Sequence, residues 1–374
     1  MFPLDIWKII LNLLDLKSQI NLISTCVYLR NNLFITDLYN MDEKYLSALT
    51  TVILKHSIFN HVIELDAGCN EKITNVSFMK SLKKLNAFGY CEINQNGIKN
   101  LNLIKFNAGH NNKITNVSFM KSLKILNASF DCGINQNGIT ELDLFELNIE
   151  NNEKITNVSF MKSLKKLDIS KWCGVNQNGI KELQLTELNI DSNMEITNVS
   201  FMSSLQILHA CGNCGINQNS IQKLNLIELY ANNNEYITDV SFMKSLKILH
   251  ADEKCGINQN GIRNLELVEL NVDNNKYITN ISFMKSLKKL YAWNNCGINQ
   301  KGIENLDLVV FYAGNNKKIF NVSFMKSLKK LEIRYDCGIN QNGIKGLDLI
   351  EFDTYANKKI INVSFMKSLK KFIH

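Results

Sequence analysis

The sequence predicts an α/β solenoid: a small helical module followed by a long stack of short coils that share one parallel sheet. Three observations lead there. The string Ile-Thr-Asn-Val-Ser-Phe-Met-Lys-Ser-Leu-Lys begins at Ile73 and returns, with small changes, at Ile114, Ile155, Ile196, Ile237, Ile278, Ile319 and Ile360, a fixed step of 41 residues. A second string, Cys-Gly-Ile-Asn-Gln-Asn-Gly-Ile in its commonest form, recurs at the same step from Cys91 through Cys132, Cys173, Cys214, Cys255, Cys296 and Cys337. Inside each step an apolar triplet appears twice, as in Leu147-Asn148-Ile149 and Leu167-Asp168-Ile169. Self-similarity of this length belongs to solenoids, propellers and arrays.

The doubled triplet decides among them. A propeller blade needs four alternating strands per period, whereas each unit here offers one short alternating stretch. The unit is therefore 20 or 21 residues, paired into the 41-residue step. Each unit fits the leucine-rich-repeat pattern L-x-x-L-x-L-x-x-N, as in Leu185-Thr186-Glu187-Leu188-Asn189-Ile190-Asp191-Ser192-Asn193. Strand starts from Leu65 to Phe372 give sixteen coils. At a strand spacing of about 4.8 Å they stack to roughly 70 Å, with the parallel sheet on a concave face and short helices or turns outside.

Within a coil, the two apolar residues of the triplet face inward and their neighbours outward. Asn193 and its counterparts Asn70, Asn111, Asn152, Asn234, Asn275, Asn316 and Asn357 stand at the bend, where an inward amide satisfies buried backbone groups. After the bend, Asn75 or Ser77 is expected to cap a short outer helix that turns Phe78, Met79 and Leu82 inward. The alternate unit runs through Asn94-Gln95-Asn96-Gly97-Ile98, where Gly97 permits a tight turn. Glu64, Glu146, Glu187, Glu228, Glu269 and Glu351 precede one set of strands and Lys84, Lys166, Lys289 and Lys330 the other, a pattern of mutual neutralisation.

Composition limits the function. The apolar share is 45%, enough for a large core, and the net charge of +7 is spread without a basic run, so nucleic acid is not the expected partner. No membrane-length apolar stretch and no secretory leader is read, which places the chain in the cytosol. The Asn-Val-Ser triplets at Asn75, Asn116 and Asn157 are expected to act as caps and not as glycosylation acceptors. The ladder cysteines recur two coils apart, about 9 to 10 Å, too far for disulfides, and read as small buried apolar side chains. Cys211 and Cys214 form a single C-x-x-C with Cys211 expected on the outer strand face; no second pair accompanies it. The six histidines are isolated, and no catalytic constellation, metal site or cofactor loop can be assembled.

Residues 1–40 lack the repeat. Pro3 fits a helix start, followed by Leu4, Ile6, Trp7, Ile10, Leu11 and Leu14 at helical spacing, and Asp15 or Ser18 can open a second helix with Ile20, Leu22, Ile23 and Cys26. From the residues alone this module could simply cap the solenoid. The run from Phe2-Pro3-Leu4-Asp5-Ile6-Trp7, through Leu14-Asp15-Leu16-Lys17-Ser18, to Cys26-Val27-Tyr28-Leu29-Arg30 resembles the F-box along its whole length, with Phe2 for the usual Leu and Leu29 where Trp is common. The resemblance implies docking to the Skp adaptor of cullin–RING ubiquitin ligases through Phe2, Pro3, Leu4, Asp5, Ile6, Trp7, Ile9 and Ile10. Residues 41–62 then form a helical linker and lid, and 63–374 the solenoid. The pairing of an F-box with Asn- and Lys-rich repeats also resembles the F-box/leucine-rich-repeat proteins of amoeba-infecting giant viruses, which would make the adaptor a host protein.

The target surface is read from differences among the repeats. Outer loops are nearly identical, but outward strand positions and those just after them vary and include Phe88, Tyr90, Phe130, Trp172, His209, Tyr230, His250, Tyr291, Trp293, Tyr312, Arg334 and Tyr335, with Lys171, Asp252 and Tyr355 beside them. Aromatic residues and Arg are the types that anchor protein interfaces. The expected function is a non-catalytic substrate receptor of a ubiquitin ligase, and the alternative a stand-alone scaffold or decoy. The last residues, Lys371-Phe372-Ile373-His374, end in a strand without a capping unit, so fraying or self-association at that edge is expected.

Overall fold

The computed structural model describes residues 3–39 and 42–374. They divide into two compact units, Met1–Leu183 and Gln184–His374.

The first unit opens with α1 (Leu4–Asn12), α2 (Leu16–Ser24) and α3 (Val27–Asn32). Pro3 stands just before α1, where a residue lacking an N–H costs no hydrogen bond. Asp15 caps α2 by accepting from the Ser18 N–H at 2.9 Å, and the Cys26 sulfur accepts from Leu29 N at the start of α3. Leu11, Leu16, Ile23 and Leu29 are buried. The chain then forms a strand the sequence did not suggest, β1 (Asp37–Leu38), parallel to β2 (Glu64–Asp66). With Leu33, Ile35 and Leu38 fully buried, this segment adds a strand ahead of the first repeat. Short helical turns at Glu43–Leu46, Thr51–Leu54 and Ser57–Phe59 lie between them.

Five further strands complete the unit: β3 (Lys84–Asn86), β4 (Lys105–Asn107), β5 (Ile125–Asn127), β6 (Glu146–Asn148) and β7 (Lys166–Asp168), each parallel to the one before and in register. The second unit repeats the pattern in β8 (Glu187–Asn189), β9 (Ile207–His209), β10 (Glu228–Tyr230), β11 (Ile248–His250), β12 (Glu269–Asn271), β13 (Lys289–Tyr291), β14 (Val310–Tyr312), β15 (Lys330–Glu332), β16 (Glu351–Asp353) and β17 (Lys371–Ile373). The central residue of each strand from β2 to β16 is buried, so the flanking two point outward.

Outside the strands the expected helices give way to turns. Asn75 does not cap a helix: its Oδ1 accepts from both the N–H and the hydroxyl of Ser77 at 2.8 Å, closing a local turn, and Asn116 does the same with Ser118. Met79 N then bonds Val76 O and Leu82 N bonds Met79 O, three-residue closures that never extend into i→i+4 bonds. Met79 and Leu82 are buried, while Phe78 is only half-buried. The run is too short, and its Asn and Ser too committed to local bonds, to meet the nucleation cost of an α-helix. Each described unit is therefore a parallel β-solenoid rather than a regular strand–helix alternation.

The alternate coils carry 3₁₀ turns at Gln95–Ile98, Gln136–Ile139 and Gln177–Ile180. Their glycine serves close approach and not a left-handed turn: a Cβ on Gly138 would lie 2.2 Å from the Thr115 carbonyl oxygen. Where Ser220 replaces it, the hydroxyl donates to Thr197 O at 2.6 Å and the turn becomes a four-residue α-helix, Gln218–Ile221.

Asparagines and cysteines alternate through the interior. Asn152 Nδ2 donates to Ala128 O at 2.7 Å and Ile134 O at 3.2 Å in the preceding coil, and its Oδ1 accepts from Lys154 N. Asn111, Asn234, Asn275, Asn316 and Asn357 repeat this arrangement. Burial pushes the ladder thiols up, Cys91 to about 11 and Cys255 to about 12, so they stay protonated and unreactive.

Candidate functional site

Because alternate strand residues point outward in register, every third strand residue joins one row across the sheet. In most coils of the first unit that row carries Asn: Asn86, Asn107, Asn127, Asn148. In the second unit it carries rings. His209 stacks on Tyr230 at 4.2 Å and 4°, Tyr230 meets His250 edge-on at 4.7 Å, and His250 reaches Tyr291 at 6.2 Å across Asn271. Tyr291 stacks on Tyr312 at 4.5 Å and 3°. Five ring residues named from the sequence thus form one row over β9–β14, each half-buried.

The rows on either side set its charge. One row, formed by the first strand residues, holds the Glu and Lys of the charge alternation, paired at Lys84–Glu64 (2.6 Å), Lys289–Glu269 (3.2 Å) and Lys330–Glu351 (2.7 Å). At β9 and β11, however, Ile207 and Ile248 stand where Lys would be expected. Glu228 between them accepts from the Tyr230 hydroxyl at 2.9 Å; burial, and then this bond, push the phenol up to about 12.

The other row lies two residues past the strands and holds Asp191, Asp252, Asp273, Trp293 and Arg334. Asp191 and Asp273 each accept one backbone N–H of the next coil, from Cys211 and Trp293, both at 2.7 Å. Burial pushes the Asp273 carboxyl up to about 6, and burial, then Glu253 and Asp273, push Asp252 to about 6. His250 is held below its ordinary value, because burial outweighs its contact with Glu269 at 3.2 Å, and it adds no fixed positive charge at neutral pH.

Trp293 packs under the Arg334 guanidinium at 5.9 Å, with Gly314 on the intervening coil directly beneath its ring. Arg334 is itself neutralised by Asp353 at 2.6 Å and Glu332 at 2.8 Å. Trp293 Nε1 is buried and has no hydrogen-bond partner among the described residues.

The remaining target-face residues lie elsewhere. Phe88 and Phe130 of the first unit are joined by His110, which the sequence reading passed over: it stacks on Phe130 at 4.2 Å and meets Phe88 edge-on at 5.4 Å. Tyr90 and Trp172, 84% and 72% exposed, occupy the turns past the sheet, and Tyr335 sits in a turn with φ 58°. Cys211 is half-buried, not fully outward, and its thiol is pushed up by burial and Asp191, the reverse of what a reactive C-x-x-C requires. Among the described residues no group of His, Cys, Asp and Glu could hold a metal ion.

Of the adaptor-contact residues, Phe2 lies outside the described residues. Ile6 and Ile9 of α1 are exposed, Ile9 to 58%, and with Leu13, which follows the helix and is 80% exposed, they make an apolar stripe; Pro3 and Asp5 are exposed, and Leu4, Trp7 and Ile10 half-buried. No described helix is long and apolar enough to cross a membrane.

No protein-family model matches the chain, and no curated protein does. Solved structures do. TLR13 in its complex with ssRNA13 is similar over 84% of this chain with a TM-score of 0.54 at 17% identity, and this chain spans 60% of its length. The functional domain of InlJ from Listeria monocytogenes, which includes a cysteine ladder, aligns over 74% of this chain and 69% of its own at 16% identity and a TM-score of 0.32. The yeast Rad7–Elc1 complex aligns over 88% and 85% at 13% identity and 0.39. The likeness to TLR13 is one of fold: a parallel repeat solenoid resembling leucine-rich-repeat proteins.

Proposed function

We propose that this chain is a recognition protein that holds a target protein on the outward face of its sheet and docks through its N-terminal helices to a Skp-type adaptor of a cullin–RING ubiquitin ligase. The chain's contribution to ubiquitin transfer is then proximity alone. On the resemblance to giant-virus proteins, the adaptor is the host's and the site of action the host cytosol.

The observation that carries the reading is the stripe of Ile6 and Ile9 on α1 and Leu13 just past its end, at i, i+3 and i+7, left in solvent while the other apolar residues of the helix are wholly or partly buried. An apolar ridge of this spacing is the form in which a helix enters a partner's groove. Two of its three residues are those the F-box resemblance assigns to the adaptor. The ring row over β9–β14 supplies anchors for a target.

The test is binding of the purified chain to a Skp adaptor beside an Ile6→Asp/Ile9→Asp variant, which keeps its fold because both positions are exposed. Micromolar binding lost in the variant supports the reading. A scaffold whose helices only cap the repeats is favoured by the β1–β2 pairing, which already ties this segment into the sheet; absence of binding by the intact chain selects it.

A further inference from the structure

We infer that the sheet face over β8–β12 binds a basic polypeptide segment, an extended stretch rich in Lys or Arg, with its cationic ends among Glu228, Asp252 and Asp273 and its aliphatic stems on the Tyr230 and His250 rings. This deepens the proposed function by naming the chemistry of the target, and rests on the reading that this face holds a protein.

The argument begins with sign. The chain carries a net charge of +7. Yet the three outward rows over β8–β12 include Glu187, Asp191, Glu228, Asp252, Glu269 and Asp273, and no Lys or Arg. A negative patch on a positive protein is a local feature and not a consequence of composition. It arises where the Glu–Lys alternation breaks at Ile207 and Ile248.

Four of these six carboxylates are also uncompensated. Lys289 meets Glu269, but Asp191, Glu228, Asp252 and Asp273 have no cation in an ion pair among the described residues. Their hydrogen bonds use only part of what a carboxylate can accept: a backbone N–H for Asp191 and Asp273, the Asn271 and Asn232 amides for Asp252 and the Tyr230 hydroxyl for Glu228. Burial raises both Asp252 and Asp273, and Glu253 and Asp273 raise Asp252 further, so a bound cation placed among them meets carboxylates that lack full solvation.

The adjoining rings fit the same ligand. The chain's own ammonium groups already lie over two members of the row, Lys289 over Tyr291 at 4.9 Å and Lys330 over Tyr312 at 5.8 Å. At Tyr230 the first-row position on the same strand is Glu228 and those on the adjacent strands are Ile207 and Ile248, so no such lysine is supplied from within. Cation–π attraction and carboxylates therefore converge where the chain lacks its own cation. The same sign disfavours a polyanion: stacking rings attract bases, but these carboxylates repel the phosphates that dominate nucleic-acid affinity.

Fluorescence anisotropy on the full chain tests this, with a labelled peptide alternating Arg and Ser, its counterparts with Glu or Gln for Arg, and oligo(U) RNA. The Arg peptide is expected to bind, with affinity reduced about ten-fold or more in Asp252→Asn/Asp273→Asn and in Tyr230→Ala, both checked for folding by circular dichroism. The exposed Glu253→Gln, just outside the rows, serves as a milder variant and should weaken binding less. Arg-peptide affinity unchanged in the paired Asn variant overturns the inference, as does preference for RNA. Tyr230-dependent binding of the Glu or Gln peptide alone also overturns it, while leaving the face as a protein-binding surface. If no peptide binds, the inference falls together with this face's role as target site, and adaptor docking stands or falls on its own test. Self-association lost in the paired Asn variant would make the occupant a second copy of this chain and overturn it too.

Discussion

Asn152 and Gln136 show how differently two amide side chains hold one scaffold. Asn152 is buried and satisfies Ala128 O, Ile134 O and Lys154 N at once. Asn152→Ala leaves those groups unpaired in the interior and should cost about 2–4 kcal/mol in urea unfolding. Gln136 is half-buried at the surface, yet its Oε1 accepts from Thr156 N and Asn157 N while its Nε2 donates to Asn157 O. Water can replace these bonds, so Gln136→Ala should cost about 1 kcal/mol. This clamp also explains the near-identity of the outer Asn-Gln-Asn loops: they grip the following coil. The sequence displayed the repetition but not the bond, because a surface glutamine has no signature of what it reaches. For Asp252 and Asp273 the sign can be worked through. Their folded values near 6 lie above the unfolded 3.8, so their stabilising contribution is complete below the unfolded value and lost as pH rises through about 6. Glu332, also raised by burial, acts in the same direction. Asp336, lowered to about 2 by Lys317 and Lys359, acts oppositely but only in far more acid solution. Tm should therefore fall between about pH 4 and pH 6, and Asp252→Asn/Asp273→Asn should flatten that slope in a calorimetric series.

At the scale of the element, the turns are built on approach distances that a methyl group would violate. Gly138→Ala and Gly261→Ala each place a Cβ 2.2 Å from a backbone carbonyl oxygen, of Thr115 and Thr238, and should destabilise by about 1–3 kcal/mol by thermal unfolding. Ser220→Gly, at the one equivalent turn that already accommodates a Cβ, should cost less because only the bond to Thr197 O is lost. The strand triplets were legible within one residue of their ends, since period-two alternation marks them directly: the expected Leu147–Ile149 lies at Glu146–Asn148. The outer helices were misread because Phe78, Met79 and Leu82 have helical spacing, a pattern that a pair of three-residue turns satisfies equally. β1 was missed for a related reason: Asp37–Leu38 is too short to carry any period, and only pairing with β2 makes it a strand. On α1, Ile9→Glu should leave stability within about 0.5 kcal/mol of the parent, whereas Leu11→Ala should cost about 2–4 kcal/mol, a contrast that chemical denaturation reads directly.

For the whole molecule, the parallel ladders within each unit make stability a matter of neighbours. Leu270→Ala, at a fully buried centre of β12, should reduce amide protection most in β11–β13 and less at β16, as hydrogen exchange by mass spectrometry would show. The sequence by itself determined the repeat, its 20/21-residue unit, the inward triplets, the buried Asn and Cys ladders and the chemistry available at each outward position. Those follow from periodicity and from the cost of burying polar backbone, both of which are local. Only the tertiary structure decided which outward residues meet. His209, Tyr230, His250, Tyr291 and Tyr312 became one row, Phe88 and Phe130 were bridged by His110, and Tyr90, Trp172 and Tyr335 went to the turns beyond the sheet. It also decided that Asp191, Asp252 and Asp273 share a face with those rings. The reason is physical: contact between coils depends on register across about twenty residues and on which side of a bend a side chain leaves, and neither is fixed until backbone hydrogen bonds close the ladder.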